Sequence, residues 1–130
     1  MRGTRTRSRA LLVVAGAAAL LMAGTGTAAA KTYTTTIKVD GYYLGYFEGS
    51  VKSKQRKCKR SRAIALYVIE APPAQDELVG EAKTDKRGKW QVNDTHGLGG
   101  DYYAIVDEKK IRKNGKRHTC SDAESPAFTR

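Results

Sequence analysis

Beyond residue 30, apolar and polar residues alternate along most of the chain. With Tyr33, the run TTTIKV (34–39) sets Tyr33, Thr35, Ile37 and Val39 on one face of an extended strand. YFEGSVKS (46–53) does the same with Phe47, Gly49, Val51 and Ser53. AIALYVI (63–69) is apolar on both faces, Ile64, Leu66 and Val68 against Ala65, Tyr67 and Ile69, which predicts a central strand. APPAQDE is a loop, because Pro72 and Pro73 cannot sit inside a paired strand. LVGEAKT (78–84) and KWQVND (89–94) flank the turn DKRG and read as a hairpin. DYYAIVD sets Tyr102, Ala104 and Val106 against Tyr103 and Ile105, and Asn114-Gly115 marks a tight turn inside KKIRKNGKRHT. A closing strand is expected over residues 126–129, restricted by Pro126 to an edge or a strand start. No segment after residue 30 has a sustained helical period. About seven short strands separated by Gly, Pro, Asn and Asp predict an all-β chain folded as an antiparallel β-sandwich.

The first thirty residues follow another logic. Arg2, Arg5, Arg7 and Arg9 precede an uncharged apolar stretch over residues 10–24, and TGTAAA ends in an A-x-A pattern at 28–30. This is the pattern of a secretory signal helix cleaved after Ala30. The apolar stretch is short for a membrane span, and no cysteine follows it to take a lipid. The expected product is a secreted single domain over residues 31–130 with no transmembrane span. Such a domain buries roughly two-thirds of its surface on folding.

Secretion changes how charge and cysteine are read. The chain carries 24 Lys and Arg against 13 Asp and Glu; without the four signal arginines, 20 against 13 leaves a net +7. That balance favours acidic partners, and the expected export makes them extracellular and disfavours intracellular nucleic acid. Cys58 and Cys120 are the two cysteines, and in an oxidising compartment they are expected to form a disulfide. Closing a loop of that length stabilises a fold by roughly 4 kcal/mol in the chain-entropy model. The alternative, zinc held by Cys58, Cys120, His96 and His118, lacks paired ligand spacing, so no metal or other cofactor is expected.

Three patterns occur in order: FEGSVKS followed by RAIALYV; a T-D-x-x-G-x-W turn at Thr84, Asp85, Gly88 and Trp90; and a G-x-Y-x-x-x-V strand at Gly100, Tyr102 and Val106. Together they resemble the carboxypeptidase regulatory-like domain family, in particular its small secreted bacterial members. The resemblance spans residues 47–106 and implies a transthyretin-like (prealbumin-like) Greek-key sandwich without catalytic activity. Trp90 and Val92 are then expected to face inward, opposite Tyr102, Ala104 and Val106 of the other sheet. The transthyretin-like fold also includes hydrolases of 5-hydroxyisourate, whose N-terminal histidine motif and C-terminal Y-R-G-S have no counterpart in TYTTTIKV or SPAFTR.

No catalytic constellation is apparent. His96 reads as an exposed loop histidine and His118 as a solvated group among bases. The carboxylates are scattered, and Lys86 and Arg87 make TDKRG a poor calcium loop. Two features carry binding chemistry instead. DGYYLGYFEG crowds Tyr42, Tyr43 and Tyr46, which either cover a sandwich edge or recognise carbohydrate or protein. The segment KSKQRKCKRSR supplies Lys54, Arg56, Lys57, Lys59, Arg60 and Arg62. The second basic segment supplies Arg112, Lys113, Lys116 and Arg117, with Lys109 and Lys110 before them. A Cys58–Cys120 bond would gather both segments at one end of the sandwich. They either bind an anionic extracellular polymer or cell-surface component, or only keep the protein soluble.

Overall fold

The computed structural model describes residues 29–130, so the signal segment lies outside the described residues, apart from its last two. The fold is all-β, with no α-helix among these residues and one 3-10 turn at Arg56–Cys58. Two sheets face each other. The first orders β2 (Thr36–Tyr43), β3 (Tyr46–Lys52) and β6 (Lys89–Asn93). The second orders β10 (Ala123–Glu124), β7 (Asp101–Val106), β4 (Ala63–Val68) and β5 (Glu77–Lys83), with β11 (Phe128–Thr129) also paired to β7. Their inner faces meet in one core. Ile37, Val39, Phe47, Val51, Trp90 and Val92 come from the first sheet. Ile64, Leu66, Val68, Val79, Tyr102, Ala104 and Val106 come from the second. The strand β4 is central, paired on both edges, as its two apolar faces require.

A third sheet was not legible in the alternation. The strand β1 (Thr32–Tyr33) pairs in parallel with β9 (Lys116–Cys120), which pairs with β8 (Lys109–Lys113). Residues 33–39 are therefore not one strand. The chain breaks at Thr34 and Thr35, and the Thr35 N–H donates to Ser121 Oγ (2.8 Å). The turn between β8 and β9 holds Asn114 and Gly115 at φ 53° and 72°, conformations that Asn and Gly tolerate best.

The DKRG hairpin is corrected. The strand β5 pairs with β4, whereas β6 pairs with β3, so the turn carries the chain from one sheet to the other. The turn satisfies its own amides: Asp85 Oδ1 accepts from Arg87 N (2.8 Å) and Lys89 N (2.9 Å). The Val51 N–H then donates to Gly88 O (2.7 Å), tying the turn to β3.

The expectation that Arg62 belongs to an exposed basic surface is also corrected. Its side chain is fully buried (0% exposed). One terminal nitrogen donates to Thr35 Oγ1 (3.1 Å) and Cys58 O (2.7 Å), the other to Asp107 O (2.6 Å) and Ser121 O (2.9 Å). Burial lowers its proton affinity, and the charges of Asp107 and Asp122 oppose that shift. These bonds join the third sheet to the sandwich. Replacing Arg62 by Met keeps the bulk and takes the donor from four acceptors, the buried Thr35 Oγ1 and Cys58 O and the part-buried Asp107 O and Ser121 O. We expect a loss of about 3–5 kcal/mol in urea unfolding of the oxidised protein.

On the outward face of β4 and β7, Tyr67 and Tyr103 stack with ring centroids 5.5 Å apart. The Tyr103 hydroxyl donates to Asp76 Oδ2 (2.8 Å), and this bond, with burial and nearby carboxylate charge, pushes its pKa up to about 12. The folded state thus holds the phenol proton more tightly than the unfolded chain. The stability from this contact is complete below pH ~10 and lost as pH rises through the folded value. In a phenolate absorbance titration Tyr103 is expected to ionise late. Tyr103→Phe should remove that late step and flatten the loss of stability in the same alkaline window.

Candidate functional site

The two basic segments meet through the disulfide. Cys58 and Cys120 are bonded, with Cα atoms 5.4 Å apart, so neither is available to zinc. With Ile111 and Tyr33 they form a small apolar cluster beneath the third sheet. Around it the segments exchange lysine-to-carbonyl bonds: Lys57 Nζ donates to Arg112 O (2.6 Å), and Lys109 Nζ to Arg60 O (2.8 Å). Burial, then the positive charges of Arg62 and Arg60, lower the pKa of Lys109.

The predicted cations therefore divide. Arg62 is internal. Lys57 reaches across to the other segment, and Lys59 and Lys116 are half-buried. Lys54, Arg56, Arg60, Arg112, Lys113 and Arg117 are exposed. In the β8–β9 register, Arg112 stands directly opposite Arg117, and Lys113 opposite Lys116. Like charges in such positions destabilise a sheet pair, so this hairpin concentrates charge against its own stability. Lys113 lies over the Tyr33 ring, 5.9 Å from its centroid. Among the described residues, the ion pairs are Lys89–Asp40, His96–Glu77, Lys110–Glu108 and Arg130–Asp94, none of which engages the exposed tip cations.

The turn at 85–89 adds cations that the sequence reading missed as site residues. It packs against the end of β3 because Gly88 (φ 82°) has no Cβ; one placed there would lie 2.3 Å from Val51 O and 3.3 Å from Lys59 Cβ. Arg87 and Lys89 are thereby brought beside the first basic segment. The run K-R-G-K in this turn was the available signal; its position required the crossing between sheets.

The histidines differ from their expected surroundings. His118 is buried: its Nδ1 accepts from Lys31 N (2.9 Å), and its ring meets Tyr33 edge-on. His96 is half-buried, with Nδ1 3.7 Å from Glu77. Asp94 uses one carboxylate oxygen to accept from His96 N and Gly97 N and the other to pair with Arg130. Asp101 accepts from the Thr129 hydroxyl (2.5 Å). Both carboxylates thus have partners, Asp94 in its own loop and at Arg130, and Asp101 across the β7–β11 pairing.

The tyrosines lie at the opposite end from the disulfide, since β3 runs from Tyr46 to Lys52. Tyr42 is half-buried, packed edge-on to Phe47 and covered by the Arg130 guanidinium 4.0 Å from its ring centroid. Tyr43 meets Tyr46 edge-on, and Tyr43 (60%) and Leu44 (80%) are exposed. Tyr42 is thus separated from the surface that Tyr43 presents.

No helix among the described residues is long and apolar enough to cross a membrane. Among them there is also no group of three or more His, Cys, Asp or Glu placed to hold a metal ion. No protein-family model matches the chain, and no curated protein matches it.

The tie between the turn and β3 is open to test. Gly88→Ala combines a strained backbone angle with the Val51 contact and is expected to cost about 2 kcal/mol in urea unfolding. Amide exchange at Val51 should accelerate in the same variant, whereas exchange at Ala104 should follow only the global loss.

Proposed function

We propose that the protein is a secreted, non-catalytic β-sandwich module that holds extracellular polyanions through its disulfide-linked basic end. The observation that carries this reading is the Cys58–Cys120 bond, which joins two basic segments whose Arg56, Arg60, Arg112 and Arg117 remain exposed. Arginines held close together interact with successive anionic groups of a polymer through several weak, salt-sensitive contacts. The opposed Arg112–Arg117 pair favours the same reading, because a bound anion relieves the repulsion that the bare hairpin carries.

The scaffold belongs to this proposal as a Greek-key, transthyretin-like sandwich of the carboxypeptidase regulatory-like kind. In its support, Trp90 on β6 and Tyr102 and Val106 on β7 are buried from opposite sheets, the positions that the resemblance assigns them. Secretion rests on the signal pattern of residues 1–30, with Lys31 the first residue of the released chain.

Retention on a polyanion column tests the binding. The oxidised protein is expected to need more salt for elution than a variant with Arg56, Arg60, Arg112 and Arg117 replaced by Ser. The slope of log affinity against log salt should fall by about one per phosphate contact removed. Equal elution of the two proteins would end the reading. Salt-insensitive binding lost in Tyr43→Ala would move recognition to the exposed tyrosine turn, where carbohydrate or protein recognition is the alternative.

A further inference from the structure

Beside the basic tip lies a hollow of about 570 Å³. Its cations are Lys52, Lys54, Lys59, Arg87 and Lys89, and no carboxylate lines it. We propose that this hollow seats a tetrahedral oxyanion ester, a phosphate or sulfate group carried on a polymer. The proposal rests on the polyanion reading and gives it a specific point of recognition.

Three separate segments bring the cations, and Thr34 and Thr36 close the hollow from the start of β2. The end of β3 brings Lys52, the following loop brings Lys54 and Lys59, and the turn after β5 brings Arg87 and Lys89. The Val51–Gly88 hydrogen bond and the close approach of Gly88 to Lys59 fix the turn against the other two. The carboxylate nearest in sequence, Asp85, does not line the hollow, although the charges of Arg87 and Lys89 act on it. Its amide bonds from Lys89 and Arg87 hold its pKa below the usual carboxylate value. Asp40 approaches Lys89 at 3.8 Å, so that ammonium is shared between a carboxylate and the hollow. Lys52, Lys54 and Lys59 crowd the same space, and no carboxylate lines it.

Hydroxyls complete the lining, from Thr36 and Ser50 on the sheet and Ser53 on the loop. The Ser53 oxygen already accepts from Gln55 N (3.3 Å), which leaves its proton to donate. Donors thus come from sheet, loop and turn. A planar carboxylate presents its two oxygens in one plane, whereas an ester of phosphate or sulfate directs its free oxygens toward several walls. Arg87 adds a forked donor suited to such a group. The volume falls in the range of small-ligand sites, enough for the ester and the sugar or polyol unit that bears it.

The test compares two variants of the oxidised chain. One replaces Lys52, Arg87 and Lys89 by Ser; the other replaces Arg56, Arg112 and Arg117 by Ser. Probes are poly(glycerol phosphate), a sulfated oligosaccharide and polygalacturonate, each titrated at several salt concentrations, with thermal melts confirming that both variants fold. The hollow variant should lose about tenfold or more in affinity for at least one ester-bearing polymer, and less than about twofold for polygalacturonate. The tip variant should weaken all three alike. Which ester polymer is affected more identifies the source, phosphate or sulfate. Unchanged ester binding in the hollow variant, or an equal loss on polygalacturonate, overturns the seat. The polyanion reading then stands if the tip variant alone weakens binding. If the unmodified protein binds none of the three, both fall.

Discussion

A single buried guanidinium sets how the parts of this fold meet. Arg62 lies where the basic loop, the break between β1 and β2, the link from β7 to β8 and the exit from β9 come together. It donates to one acceptor from each: Cys58 O, Thr35 Oγ1, Asp107 O and Ser121 O. Left without donors, the buried Thr35 and Cys58 oxygens would each carry a desolvation cost. An ammonium could not reach all four, since the task requires a planar group with donors at fixed angles. Thr84 extends the junction, accepting from Arg62 N and donating to Lys59 O. The disulfide acts on a different term. It restricts the unfolded chain, while Arg62 satisfies the folded one.

The basic end then follows as a matter of where each cation finds a partner. Bringing residues 52–62 and 109–117 together invites strong repulsion, which the chain reduces by directing some cations at carbonyl oxygens. Lys57 and Lys109 each bond a carbonyl of the opposite segment, so two positive charges act as clasps. Lys113 lies over an aromatic face. Arg112 and Arg117 project from the other face of the hairpin and stand opposite each other. The end thus displays arginines, Arg56, Arg60, Arg112 and Arg117, among exposed lysines, and arginine is the cation better suited to forked contacts with oxyanions.

The sequence carried more of this than its composition suggested. Alternation grouped the residues that share a face in β2, β3, β4 and β7, because side-chain direction follows parity alone. It could not say which sheet a strand joins, and so the crossing at DKRG read as a hairpin. The burial of Arg62 was nevertheless written in parity: residue 62 shares the inward face of Ile64, Leu66 and Val68. A charge run obscured it. His118 repeats the lesson, being in phase with buried Cys120. The hollow was beyond local reading, because Lys52, Lys59 and Arg87 become neighbours only once the turn packs on β3.

The two ends of the sandwich use their notable residues in opposite ways. At the end rich in tyrosine and glycine, polar groups are drawn inward. The Tyr102 hydroxyl bonds Leu98 O, Arg130 pairs with Asp94 while covering Tyr42, and Asp94 closes the loop at 96–97. Aromatic surface there serves packing first, and the apolar side chains left exposed are Tyr43, Leu44 and Leu98, with Ile69 and Leu78 where β4 ends and β5 begins. At the disulfide end the internal work falls to Arg62, Lys57 and Lys109, and the remaining arginines face water. On the proposed reading, a polyanion would meet solvated cations gathered at one end of the sandwich. Leaving them solvated keeps each contact weak and reversible, so strength must come from the number of anionic groups engaged together. A single small anion provides one such group, whereas a polymer provides many.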